Sequence, residues 1–514
     1  MSDVPAAAAR APKATTQHAE GRAASAEPGG RIRHAKLAVS VAQRIIADIA
    51  ARGWPEGDVI GSEPELLERY GVSRAVFREA VRLVEHQQVA RMRRGPGGGL
   101  VVTSPTLEAV IDPVAVYLFF ANARVGHVAE ARMALEDTVA ELAPARLSED
   151  DIQALRGLAE RERRGDVADH RELHARLAVI TKNPALDVFV SLLNRLTYLY
   201  FPDATRVKRA ALAVSARAHV AIIDAVLAGN AGLARHRMRT HLEAEAAYLR
   251  RHVLPAQPLD ASVLRSIGTG DKRGERVARE IFLEVTGAGW PVGAMLGSEA
   301  ELMDRFDVSR AVLREAVRLL EHHQIATMRR GPGGGLFVLQ PGIESACDAI
   351  ALLLERRGIR PSDLFELRRA VELAIVDLAV KRLDEDRSGL LLEALAEERL
   401  ASEEEFPAVG HDLHVVLAGI VDNPVLELIS LVLIRLTWLH QAAPPDMSRI
   451  PTEDVIRVHS AIVEALLDRD VELTRHRMRR HLELVVAGEH RGGLALEVVS
   501  DGLMSFGRLV VPDE

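Results

Sequence analysis

Cysteine is almost absent from this sequence: Cys347 is the single one in 514 residues. That excludes an intrachain disulfide framework and any zinc cluster built of thiolates, and it fits a reducing compartment, so a cytoplasmic location is expected. Any metal must be held by histidines and carboxylates. Long apolar runs are missing too. No stretch reaches the roughly 20 uninterrupted apolar residues that a membrane helix needs, and the apolar segment LVLIRLTWL is broken by Arg435. A net charge of −8 also denies the chain the overall basic excess of a uniform nucleic-acid binder. Charge is uneven, however: residues 31–100 hold 12 Lys and Arg against 8 Asp and Glu, a local excess compatible with a DNA-facing patch. Residues 1–30, dominated by Ala with Pro, Gly, Ser and Thr and without an apolar period, read as a disordered tail that lacks the apolar core of a secretion signal.

What the chain has is itself, twice. Residues 61–100 and 297–336 differ at 10 of 40 positions, at a fixed offset of 236. The offset extends upstream to Trp54/Trp290 and downstream to Arg132/Arg368 and Glu136/Glu372. Further on it becomes 240, pairing Asn183-Pro184 with Asn423-Pro424 and His219 with His459, so four residues were inserted, by expectation in the loop-like ASEEEFPAVG stretch. At this length two to four domains are expected.

Each copy divides into two parts. The first reads as three short helices and a hairpin: LAVSVAQRIIADIA has helical apolar spacing, GWPEGDVIGS turns the chain, and Ser62 and Ser73 stand where helix caps belong. Strands are expected at about 89–93 and in LVVT, on either side of a glycine tip. This is the element order of a winged helix-turn-helix. The second part is almost wholly helical, a bundle of six or seven amphipathic helices. The expected division is a tail at 1–30, winged domains at 31–104 and 272–340, helical effector-binding domains at 105–252 and 341–490, a linker at 253–271, and a C-terminal tail at 491–514. The fold class is mainly α.

Four motifs carry chemistry. In GVSRAVFREAVRL, Arg74 and Arg78 lie on one face near a helix N-terminus, repeated as Arg310 and Arg314. A recognition helix needs this arrangement to meet base edges in the major groove, although one such face alone could equally be solvated charge. The RRGPGGG tips at 93–99 and 329–335 could cradle a phosphate. A nucleotide loop, however, would end in Lys-Ser/Thr and open a helix, whereas Leu100-Val101-Val102 and Leu336-Phe337-Val338 read as strands, so a wing is preferred. Arg93, Arg94, Arg329 and Arg330 then sit at its base. In each helical part three histidines recur at the same spacing, 45 and then 22 residues: His174, His219 and His241, and His414, His459 and His481. Imidazoles at facing helices can hold zinc or a similar ion, or be structural. Arg132 with Glu136, and Arg368 with Glu372, are either helix-surface ion pairs or arginines turned inward to hold a carboxylate.

The segment GSEPELLERYGVSRAVFREAVRLVEHQQVARMRRGPGGGLVV and its second copy resemble the DNA-binding domain of GntR-family transcription regulators, and the helical parts resemble the FCD effector domain of the FadR subfamily. The resemblance spans about 35–252 and 272–490. It implies a sequence-specific regulator that binds a double-stranded operator under control of a small organic acid, often beside a metal. It places Ser73, Arg74, Ala75, Val76, Arg78, Arg94 and Gly95 at the DNA, with Ser309, Arg310, Ala311, Val312, Arg314, Arg330 and Gly331 in the second copy. Pro64 and Ala300 stand where many relatives carry a DNA-touching arginine. The effector arginines would be Arg132 and Arg368.

The family's metal site joins three histidines to an aspartate four residues before the first. Here His170 and Gly410 occupy that place, so a divalent metal is expected more readily in the first copy, on His170, His174, His219 and His241. Where relatives pair two chains, the two copies here can pair within one, with room for further homo-oligomerisation. Two other readings stay open. One is a metal-dependent enzyme on the histidines, which lacks a placed general base. The other is an architectural DNA binder with vestigial sensors.

Overall fold

The three-helix units form because their boundaries are written into short capping signals. In the computed structural model, which describes residues 28–95, 97–166, 171–199, 209–252, 272–401, 412–441 and 452–489, α1 (Pro28–Ala51) is followed by α2 (Glu63–Tyr70) and α3 (Arg74–His86). Helix α1 therefore opens ahead of the boundary expected at 31. Glu65 accepts the Ser62 N–H at 2.8 Å, closing a capping box at α2, and Gly71 ends that helix at φ 64°, a left-handed value that glycine takes without penalty. The Ser73 hydroxyl accepts from the Val76 N–H and starts α3.

Strands β1 (Ala90–Arg93) and β2 (Gly99–Val102) pair antiparallel, Arg93 opposite Gly99, so the glycine tip is the turn of a hairpin. The second copy repeats this with α11 (Arg273–Gly287), α12 (Glu299–Arg305), α13 (Arg310–His322), β4 (Ala326–Arg329) and β5 (Gly335–Val338). It adds β3 (Met295–Gly297) on the free edge of β5, where the first copy has only a Val59–Val101 bridge. Ile45, Leu66, Phe77 and Leu100 fill the first small core, and Ile281, Leu302, Leu313 and Leu336 the second.

Among the described residues each helical part contains seven helices. They are α4 (Leu107–Phe120), α5 (Val125–Arg146), α6 (Glu149–Arg164), α7 (Glu172–Ile180), α8 (Pro184–Leu199), α9 (Arg209–Leu227) and α10 (Ala231–His252). Their counterparts are α14 (Ile343–Arg356), α15 (Pro361–Arg382), α16 (Glu385–Leu400), α17 (Asp412–Ile420), α18 (Pro424–Gln441), α19 (Thr452–Leu467) and α20 (Val471–Glu489). The offset passes from 236 to 240 between α6/α16 and α7/α17. The tail at 1–27, the linker at 253–271, most of ASEEEFPAVG and residues 491–514 lie outside the described residues.

The two copies join through reciprocal contacts. Arg146 pairs with Glu366, and its counterpart Arg382 pairs with Glu130 at 2.6 Å. Asn183 donates to the Asp363 carbonyl and to Glu366, and Asn423 donates to the His127 carbonyl and to Glu130. Each asparagine also accepts backbone N–H groups at the start of the next helix, α8 or α18, so one side chain caps a helix and docks a domain.

Docking of the winged domains is crossed. Phe119 and Phe120, at the end of α4, pack edge-on against Phe282 and Trp290 of the second winged domain, with ring centroids 5.5 and 5.9 Å apart. Leu352 of α14 joins the core of the first winged domain, where Arg356 lies 3.8 Å from Glu56. Each winged domain thus rests on a helix of the other copy. The aromatic anchor is unequal, because Glu355 and Arg356 stand where Phe119 and Phe120 do. Phe119→Ala should destabilise docking of the second winged domain by about 3 kcal/mol. Hydrogen exchange should show protection falling at α11–α13 and unchanged at α1–α3; an equal loss in both would contradict crossed docking.

Candidate metal centre and nucleic-acid interface

Arg74 and Arg78 project from the first two turns of α3 with side chains 68% and 66% exposed. Both reach one carboxylate, Glu63, at 3.6 and 3.4 Å. The second copy repeats the fork: Arg310 and Arg314 lie 3.2 and 3.8 Å from Glu299. Glu63 and Glu299 brace the guanidiniums in parallel, and sequence reasoning overlooked them although a glutamate follows the cap serine in both copies. Ala75 and Ala311 are exposed beside the arginines. Ser73 and Ser309 spend their hydroxyls on caps. Val76 is buried and Val312 half-buried, so these valines pack α3 and α13 onto their domains.

At the wing, Gly95 and Gly331 take φ 99° and 105°, left-handed conformations that favour glycine, while Gly98 and Gly334 lie so close to backbone carbonyls that no side chain fits. Arg93 folds back to donate to the Gly97 carbonyl at 2.9 Å, and Arg329 lies over the Phe337 ring at 4.5 Å. Arg94 and Arg330 are exposed at the tip, with Gly95 and Gly331. Pro96 lies outside the described residues.

In the first bundle His174 on α7, His219 on α9 and His241 on α10 are all buried, and their Nε2 atoms converge. His241 Nε2 lies 3.3 Å from those of both His219 and His174. In the second, His481 Nε2 lies 3.2 Å from that of His414 and 3.4 Å from that of His459. The outer nitrogens are held by carboxylates: His174 by Glu136, His219 by Glu162 at 2.7 Å, His414 by Glu372 at 2.6 Å, and His459 by Glu398 at 2.9 Å. A carboxylate on Nδ1 fixes the tautomer that points the Nε2 lone pair inward. Burial, then the neighbouring imidazoles, push His241 and His481 well below the ordinary histidine range, favouring the neutral form that ligates. Three Nε2 atoms converging in a buried site repel one another unless a proton or a cation is shared. Zn–N bonds of 2.0–2.1 Å in a tetrahedron set ligand nitrogens about 3.3–3.4 Å apart, so the donor set fits a divalent ion and leaves a coordination position open. His170, expected as a fourth ligand, lies outside the described residues.

Arg132 and Arg368 are buried, which removes the surface-pair reading. Each donates Nε to the glutamate four residues on, Glu136 or Glu372, at 2.8 Å. One carboxylate therefore ties each arginine to a histidine of the triad. Burial alone would raise the Glu136 carboxyl, but His174 and Arg132 outweigh it and hold the group down at about 2. Arg132 also donates Nη1 to Glu245 at 2.9 Å. Both residues line a narrow recess of about 10 Å³ with Val125, Thr197 and Leu249. Glu162 and Glu398 were missed in the sequence, although they are identical at the 236 offset just after six positions, 156–161 and 392–397, at which the copies differ.

Comparison with known proteins matches two family models, each twice. One, described as bacterial regulatory proteins of the gntR family, covers residues 37–100 and 274–338; the other, the FCD domain, covers 127–244 and 363–484. An uncharacterized HTH-type transcriptional regulator of Bacillus subtilis, YcbG, is 28% identical over 194 residues, 38% of this chain and 79% of its own. The Uxu operon regulator of Haemophilus influenzae is 27% identical over 40% of this chain and 78% of its own. The transcriptional repressor NanR of Cronobacter sakazakii is 29% identical over 45% and 93%. Each alignment takes most of the relative and less than half of this chain, as a tandem duplication requires.

Titration with zinc followed by dialysis should leave two ions per chain, falling to one in His241→Ala. Glu162→Gln should weaken one site by about 10–100-fold; unchanged stoichiometry in His241→Ala would place the metal elsewhere.

Proposed function

Because this chain belongs to the GntR family of bacterial transcription regulators, with two GntR helix-turn-helix domains and two FCD domains in tandem, we propose that it reads both halves of a two-fold operator with a single polypeptide. The observation that carries this reading is the pair of near-identical recognition helices, α3 and α13, on two copies joined by reciprocal contacts. Half-sites would be similar in sequence and lie one helical turn apart, roughly 34 Å, as for dimeric helix-turn-helix proteins.

Arg74, Arg78, Arg310 and Arg314 would contact base edges or phosphates, and Arg94 and Arg330 the phosphates or minor groove beside the wing. On meeting DNA each fork exchanges Glu63 or Glu299 for nucleic-acid acceptors. The histidine triads would hold a divalent ion, whose open position supplies Lewis acidity toward a carboxylate. Arg132 and Arg368, tied to the triads through Glu136 and Glu372, stand where a small organic acid would be held. Binding would shift the relative placement of the winged domains through differential affinity for two arrangements. We propose no catalytic role; the chain acts as a binding protein.

Selection of bound DNA from random oligonucleotides should return two related half-sites. Arg74→Ala with Arg310→Ala should cost about 1–3 kcal/mol of discrimination at each half-site, measured by competition against mismatched duplexes. Unchanged sequence preference would remove α3 and α13 from the base-reading role.

A further inference from the structure

The two effector domains are not equivalent at the arginine. Arg132 is buried and doubly paired, with Nε on Glu136 and Nη1 on Glu245. Glu245 comes from α10, one turn beyond His241, and its Oε2 lies 4.0 Å from the His241 Nε2. Its carboxylate therefore sits between the arginine and the imidazole cluster, the place a ligand's carboxylate would take. Helices α10 and α20 run at the 240 offset, so the residue corresponding to Glu245 is Val485. Valine offers no acceptor. Among the described residues, the one ion pair of Arg368 is Nε to Glu372.

We propose that Glu245 is a built-in carboxylate that closes the anion seat of the first effector domain, leaving the second as the one that takes up a small carboxylate at Arg368. This rests on the reading that these arginines seat an organic acid. An exogenous anion entering the first domain must displace a tethered competitor whose effective concentration is at least millimolar, and must leave Glu245 without its buried partner. Among the described residues no such competitor stands at Arg368. Phe365 stands at the position of Ala129, so the lining of the two seats differs by one aromatic ring. The duplicated chain would then respond to one effector molecule, through the domain whose helix α14 contributes Leu352 to the first winged domain's core.

Acetate serves as the probe, because it carries the carboxylate and little else. Thermal unfolding of the full-length, zinc-supplemented chain is compared in sodium acetate and sodium chloride at equal ionic strength. Wild type should gain about 2–4 °C in acetate, the shift that roughly 1 kcal/mol produces in a domain of this size. Val485→Glu and, independently, Arg368→Met should lose that gain. Glu245→Ala should melt lower than wild type in chloride and gain more than wild type in acetate, as the small anion refills the vacated seat. A gain that survives both Val485→Glu and Arg368→Met but vanishes in Arg132→Met would overturn the proposal while leaving the carboxylate reading intact. Absence of any acetate gain in both wild type and Glu245→Ala would remove the carboxylate reading itself, and the proposal with it.

Discussion

Everything distal in this molecule depends on how the two helical domains hold each other. The reciprocal Arg146–Glu366 and Arg382–Glu130 pairs are half-exposed, and ion pairs of that kind contribute little stability by themselves. What makes the junction specific is that each glutamate also accepts from a buried asparagine, Asn183 or Asn423, whose oxygen is already committed to a helix start. Sliding one copy against the other would leave those amides unsatisfied in a dry interface, a cost of about 1–3 kcal/mol per group. The network therefore fixes register, and register fixes where the two recognition helices point.

From that junction the order of events is set by crossed docking. Helices α4 and α14 each continue from one winged domain and support the other. The distance between the two arginine forks is thereby written into one pair of packed helices. The line from His174 on α7 to Glu245 on α10 passes through Glu136 and Arg132 of α5, the helix that also carries Glu130 and Arg146 of the junction. A charge gained or lost in this line acts on a helix that contacts the other copy. The same helix in the second copy, α15, carries Arg368, Glu372, Glu366 and Arg382.

Much of this was legible in the residues. The duplication, the hairpin wing and the equal histidine spacings in both copies could be read without coordinates, since local turn chemistry and a repeated sequence speak for themselves. The recurrence of Asn183-Pro184 as Asn423-Pro424 was visible, but its purpose was not, because the partners Asp363 and Glu366 lie about 180 residues away in the other copy. Glu162 and Glu398 escaped for the same reason: a carboxylate that orients an imidazole 57 or 61 residues on leaves no local signature. For Arg132 the spacing to Glu136 suggested a pair but could not say that it was buried. Val76, placed at the DNA by resemblance, turned out to be core, as the inward spacing of α3 allowed.

The central claim is that one chain supplies both halves of an operator reader. Native mass spectrometry of the complex with the selected two-half-site duplex, at protein concentrations near the dissociation constant, tests it most directly. One chain per duplex is expected, with a duplex carrying a single half-site bound far more weakly. A complex of two chains per duplex, with each chain leaving one winged domain idle, would contradict it.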